Sequence, residues 1–245
     1  MTIISKGQAS GSQLYWVADN IIADDFPEVS SALRDPDGLL AIGGDLGAER
    51  LLDAYRQGIF PWYSKGQPIL WWSPNPRCVF EMDSLKISRS LRKILRKKQY
   101  KITFNNAFEE VIFACSEDRE NNPDTWLTEE MVEAYIRLYN MGHAASVECW
   151  DSEQLVGGLY GISIGKVFFG ESMFSRQADA SKIALVHLIK YLKSKEFRLI
   201  DCQVYSKHLQ SLGAIPMPRQ LFVNILRHYC TQQVSHDWCM ESVCK

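Results

Sequence analysis

The chain has 245 residues, 46% hydrophobic and 23% charged, with 27 Lys and Arg against 29 Asp and Glu for a net charge of −2. That size holds one sizeable core, or a core with a smaller annex, and the near-neutral balance confines any nucleic-acid contact to a local patch. No run approaches the roughly 20 apolar residues that span a bilayer, and the first ten residues lack a secretory pattern. The seven cysteines, at 78, 115, 149, 202, 230, 239 and 244, include no CxxC pair and read as reduced thiols of a cytoplasmic protein, not a disulfide framework or a zinc site.

Residues 1–25 carry no periodic signal and are expected to be weakly ordered. From residue 26 turn formers crowd the chain. Asp37-Gly38 and Gly43-Gly44 read as turns, and 48–57 as a short helix stopped by Gly58 in the left-handed conformation. Trp62, Trp71 and Trp72 lie among Pro61, Pro68, Pro74 and Pro76, too much proline for a central strand. The three indoles read either as plugs of a small core or as an aromatic stacking platform. Residues 1–80 are thus expected to form a small Gly/Pro/Trp-rich N-terminal domain.

Between 84 and 101 stand Lys86, Arg89, Arg92, Lys93, Arg96, Lys97, Lys98 and Lys101 with no acid among them. A helix near 86–98 gathers Arg89, Lys93, Arg96 and Lys97 on one face and Ile87, Leu91, Ile94 and Leu95 on the other. Surface helices usually mix signs, because like charges four residues apart repel. A one-sign face is either a solvated amphipathic surface or a grip for a phosphate backbone.

Helices are expected at 107–116 and at 129–141, the latter with acids in its first turn and Gly142 at its stop. A strand meander follows over 145–171. The stretch 165–204 is then a strand–helix–strand unit. An apolar run from Lys166 to Gly170 continues through Glu171 and Ser172. A helix over 180–195 has an apolar stripe including Ala184, Leu188 and Tyr191, and a second apolar run, 197–200, stops at Asp201-Cys202-Gln203. Sheets with such crossovers bind substrates beyond the carboxyl ends of their strands, which makes Glu171, Asp201 and Gln203 the candidates for chemistry. A helical turn at 208–214, a last helix opened by Pro218 and a weakly ordered tail over 231–245 complete the chain. The fold class is α/β (α+β), with 81–230 as one domain built on a mixed sheet.

The element order of that domain is similar to the core of GNAT-type acyltransferases, but 175–182 reads Ser-Arg-Gln-Ala-Asp-Ala-Ser-Lys and lacks the glycines of their acetyl-CoA loop. Seven motifs carry a more specific resemblance: GLLAIGGDL (38–46), AYRQGIFPW (54–62), ILWWSPNPR (69–77), GESMFS (170–175), ASKIAL (180–185), LIDCQV (199–204) and HLQSLGA (208–214). In this order they resemble the leucyl/phenylalanyl-tRNA–protein transferases over about 26–222. Asn75 and Ala145 depart from the family's usual residues. The resemblance implies a monomeric, two-domain cytoplasmic enzyme with a GNAT-like catalytic domain. It would move Leu, Phe or, less well, Met from aminoacyl-tRNA to proteins that begin with Arg or Lys, for the N-end rule pathway. Neither cofactor nor metal is called for, since the aminoacyl ester is already activated. By the same resemblance Asp201 polarises Gln203, Gln203 contacts the amine, and Glu171 attracts the incoming amino group. Met173, Phe174 and Leu185 would wall the amino-acid pocket. Trp62, Trp126 and Tyr55 would hold the tRNA 3′ end, and Arg89, Lys93, Arg96 and Lys97 would grip the acceptor-stem backbone.

Overall fold

Two sheets organise the residues that the computed structural model describes: 14–19, 26–117, 127–234 and 238. The smaller sheet holds β1 (Tyr15–Val17), β2 (Leu39–Gly43), β3 (Phe60–Pro61) and β4 (Leu70–Trp72) in the order β1-β2-β4-β3. Helix α1 (Ala48–Gln57) precedes β3 and ends at Gly58, whose φ of 80° only glycine adopts readily. The proline-rich segment thus does supply an interior strand, against the expectation from composition. Pro68 and Pro74 flank β4 without interrupting it, so their missing N–H groups fall outside the ladder. The indoles separate by burial. Trp71 has no exposed surface and donates Nε1–H to the Gly43 carbonyl at 2.8 Å, a core plug, whereas Trp62 is 42% exposed.

The larger sheet is mixed, as expected. It contains β5 (Arg77–Glu81), β6 (Lys101–Phe104), β7 (Ala144–Asp151), β8 (Gln154–Ile164), β9 (Val167–Ser175), β10 (Leu199–Asp201) and β11 (Ile215–Met217). Their order is β11-β5-β10-β9-β8-β7-β6, and β9/β10 is the parallel pair among antiparallel neighbours. Strand β5 runs across residue 80, where the sequence suggested a boundary, and pairs inside this sheet. Strands β5, β6 and β11 escaped the sequence reading because each is too short to display a period, and Pro216 of β11 is tolerated at a sheet edge.

The remaining helices are α2 (Arg89–Lys97), α3 (Phe108–Ser116), α4 (Glu129–Asn140), α5 (Ala180–Ser194), α6 (Lys207–Leu212) and α7 (Arg219–Tyr229). Ser88 caps α2 and Thr128 caps α4, each accepting a backbone N–H three residues on. Residues of α1, α3, α4 and α7 share one apolar cluster with one face of the large sheet and with the small sheet. Helix α5 covers the opposite face, with α2 packed outside it. Trp238, in the stretch expected to be a weakly ordered tail, packs on this second side, stacked on Tyr191 with ring centroids 5.0 Å apart. No helix among the described residues is long and apolar enough to cross a membrane.

One irregularity in β9 matters more than any regular element. Tyr160 of β8 pairs with Ser172, but Gly161 pairs with Gly170, so Glu171 is an extra residue bulged out of the ladder. Side chains alternate faces along a strand, and the bulge reverses that parity. Phe168 and Met173, five residues apart, therefore both face α5, while Phe169 and Phe174 face α3 and α4.

Candidate active site

The parallel ladder between β9 and β10 stops at the Phe169–Asp201 pair. Past it, the bulge re-aims Glu171, and Gln203 takes a left-handed φ of 54°. The strands are then bridged by side chains: Gln203 Nε2 donates to Glu171 Oε1 at 2.9 Å. No protein partner among the described residues takes Gln203 Oε1, which leaves an acceptor for an incoming N–H. Below the bridge, on the α5 side, lies a cavity of about 130 Å³. Phe80, Leu159, Phe168, Met173, Leu185 and Leu188 supply apolar wall, and Glu171, Cys202 and Gln203 form part of its border.

Glu171 is set in a chain of buried hydroxyls. Tyr135 of α4 donates to its Oε2 at 2.7 Å, and the Tyr55 and Tyr135 hydroxyls lie 2.9 Å apart. Burial pushes the Glu171 carboxyl up to about 7, although the tyrosine hydrogen bonds favour its charged form. Burial first, and the charge of Glu171 next, hold both tyrosines well above their ordinary range, so they act as donors.

Asp201 is placed differently from the expectation. Its two oxygens accept from Arg77 Nε and Nη2 at 2.8 and 2.7 Å, a bidentate pair with both side chains at 0% exposure. Arg77 Nη1 donates to the Gly58 carbonyl at 3.1 Å, and its guanidinium lies between the rings of Phe60 and Phe222. What Asp201 offers Gln203 is an acceptor for its backbone N–H, at 3.0 Å, not a contact with the side-chain amide. The carboxylate thus anchors the turn that presents Gln203.

The other expected site residues separate. Met173 and Leu185 line the cavity. Phe174 does not, because the Glu171 bulge turns it to the opposite face of the sheet, where the Arg176 guanidinium lies over its ring. Tyr55 has no exposed surface and its ring meets Phe169 at 5.1 Å, so it supports Glu171 through Tyr135 and is not open to stack on a nucleotide. Trp62 is open to solvent, its ring 5.7 Å from that of Trp72. Trp126 lies outside the described residues. On α2, Arg89, Lys93, Arg96 and Lys97, joined by Arg92, are all exposed and line one surface depression. None of them pairs with an acid among the described residues. From the sequence, Arg77 is identified only as the last residue of the motif at 69–77, with no role given, and Tyr135 is not identified. No group of three or more His, Cys, Asp and Glu side chains among the described residues is arranged to hold a metal ion.

Residues 79–227 match the model of the leucyl/phenylalanyl-tRNA protein transferase family, and 44–75 match the model of that family's N-terminal domain. Among curated proteins, a leucyl/phenylalanyl-tRNA–protein transferase of Pseudomonas syringae pv. syringae is 50% identical over 230 residues, covering 94% of this chain and 100% of that one. One from Aromatoleum aromaticum is 57% identical over 198 residues, covering 81% and 84%. Among solved structures, L-PGS from Bacillus licheniformis aligns with a TM-score of 0.37 and 12% identity over 55% of this chain and 49% of that one, too slight a likeness to carry weight.

Proposed function

The chain belongs to the leucyl/phenylalanyl-tRNA–protein transferase family, and from that premise we propose that it moves leucine or phenylalanine, and less readily methionine, from aminoacyl-tRNA to proteins that begin with Arg or Lys. It would act as a cytoplasmic monomer and mark its products for the N-end rule pathway. The observation that carries this reading is the apolar cavity of about 130 Å³ bordered by the Glu171–Gln203 bridge. An apolar cavity of about 150 Å³ holds benzene, so one of about 130 Å³ is close in size to a phenyl or isobutyl group, and its polar border is where the ester carbonyl would lie. Apolar size differences discriminate only about 10–200-fold, so rejection of other side chains rests on the shape of the walls, Met173 and Leu185 among them.

The reaction joins the acceptor nitrogen to the ester carbonyl carbon, breaks the ester bond to the tRNA 3′ oxygen, and passes one proton from the amine to that oxygen. Alignment of the reactants is worth roughly 7–11 kcal/mol. In our reading Gln203 Oε1 accepts an amine N–H and orients it. An α-amine titrates near ~7.7–8; Glu171, at about 7, is matched closely enough to take its proton and return it to the leaving oxygen. Asp201, engaged by Arg77, keeps Gln203 in place. Helix α2 grips the acceptor-stem backbone without reading sequence, and Trp62 stacks on the terminal adenosine.

Lys93→Ala combined with Arg96→Ala should weaken binding of charged tRNA and reduce the slope of log K against log salt by about 2, with turnover at saturation little changed. An unchanged slope would remove α2 from the interface. The function itself is tested by mixing the protein with tRNA charged with labelled Phe and with peptides beginning with Arg or Ala, without ATP, metal or coenzyme. Label is expected on the Arg peptide alone. Tight binding of charged tRNA with no transfer would instead mean a binding module.

A further inference from the structure

Two cysteines lie beside the site and take no part in the steps above. The register that pairs Asp201 with Val79 puts Cys202 directly opposite Cys78 of β5, and the Cys202 N–H donates to the Cys78 carbonyl at 2.9 Å. Both side chains belong to the apolar cluster on the α5 face. The two thiols act on each other: Cys202 holds Cys78 below the usual thiol range, while Cys78 and burial push Cys202 well above it. Directly opposed Cβ atoms lie about 4.5–5.5 Å apart, within a small adjustment of the roughly 3.5–4.5 Å of a disulfide. Access differs between the two. Cys78 is 1% exposed, whereas Cys202 is half-buried and borders the cavity.

We propose that Cys202 and Cys78 form a reversible oxidation site that switches transfer off. With hydrogen peroxide as oxidant arriving past Cys202, the more acidic Cys78 sulfur attacks one peroxide oxygen and breaks the O–O bond, giving a sulfenic acid and a first water. The Cys202 sulfur then attacks the Cys78 sulfur, forming the S–S bond and expelling the second water. Two thiols are oxidised by two electrons, and one peroxide is reduced to two waters; a dithiol reverses the change. Bond formation draws Cys202 towards β5, and Gln203 is its neighbour. Gln203 is tied on three sides, to Asp201 by its N–H, to Cys78 by its carbonyl, and to Glu171 by its side chain. A shift at Cys202 therefore reaches the Gln203–Glu171 bridge, where a misplacement of about 1 Å costs on the order of 100-fold.

The loss of transfer rests on the function proposed above; the bond does not. The full chain is reduced, treated with a few equivalents of hydrogen peroxide, capped with N-ethylmaleimide and mapped by mass spectrometry of its non-reduced peptides. A linked Cys78–Cys202 peptide is expected, with transfer down at least 10-fold and restored by dithiothreitol. Cys78→Ala should keep the reduced protein's rate and lose the reversible inhibition. Absence of the linked peptide, unchanged transfer when it has formed, or reversible inhibition that persists in Cys78→Ala would each overturn the proposal. A linked peptide in a protein that transfers nothing even when reduced would establish the bond, overturn the switch, and count against the function.

Discussion

Asp201→Ala is expected to lose stability and turnover together, by about 3–5 kcal/mol and on the order of 100-fold. The stability loss arises because Arg77 stays behind, with 0% exposure and no counter-charge. The turnover loss arises because the Gln203 N–H loses its acceptor at a residue already held at a φ of 54°. The two effects separate in the double variant Asp201→Leu with Arg77→Met. Replacing a buried ion pair by apolar residues is often neutral or stabilising, so thermal unfolding should recover towards the parent while single-turnover transfer stays low. Binding of charged tRNA should be nearly unaffected, since α2 is a separate surface. Full turnover in Asp201→Ala, or its recovery in the double variant, would show that Asp201 does not position Gln203.

Glu171→Gln should change the response to pH. The Glu171 carboxyl is raised from 4.5 to about 7, mainly by burial. Below 4.5 it is protonated in folded and unfolded chains alike and contributes nothing to the pH dependence. As pH rises towards 7 the unfolded chain ionises while the folded one does not, so stability falls; above 7 the loss is constant, up to roughly 3 kcal/mol. The glutamine variant escapes that loss and should unfold at a higher temperature than the parent at pH 8, with the advantage gone near pH 4. Transfer should move the other way. The parent's kcat/KM is expected to rise through about 7 and again with the amine near ~7.7–8. The variant should keep only the second rise and run about 10²–10⁴-fold slower. A rise near 7 that survives in the variant would assign that proton to another group.

Several residues show where local information was sufficient. The ends of α1 and α4 were legible because each depends on residues within one turn: Gly58 with its positive φ, Glu129 and Glu130 beside the helix N-terminus, and Gly142 past its end. The amphipathic division of α2 followed from 3.6-residue periodicity, and its one-sign face is as exposed as that pattern required. Glu171, Asp201 and Gln203 were found because strand ends beside a crossover are identifiable before any contact is known.

The sequence by itself therefore determined the helices, the meander, the mixed sheet and three candidate positions, since each follows from period, punctuation or element order over short spans. Tertiary structure alone decided what those positions touch. Asp201 became the partner of Arg77 through a pairing 124 residues apart in the chain. Tyr55 and Tyr135, 80 residues apart, met behind Glu171. Met173 faced the cavity and Phe174 turned from it because β8 and β9 shift register at Glu171. Register is a property of two strands together, and one extra residue reverses every side chain beyond it; no single stretch of sequence contains that information.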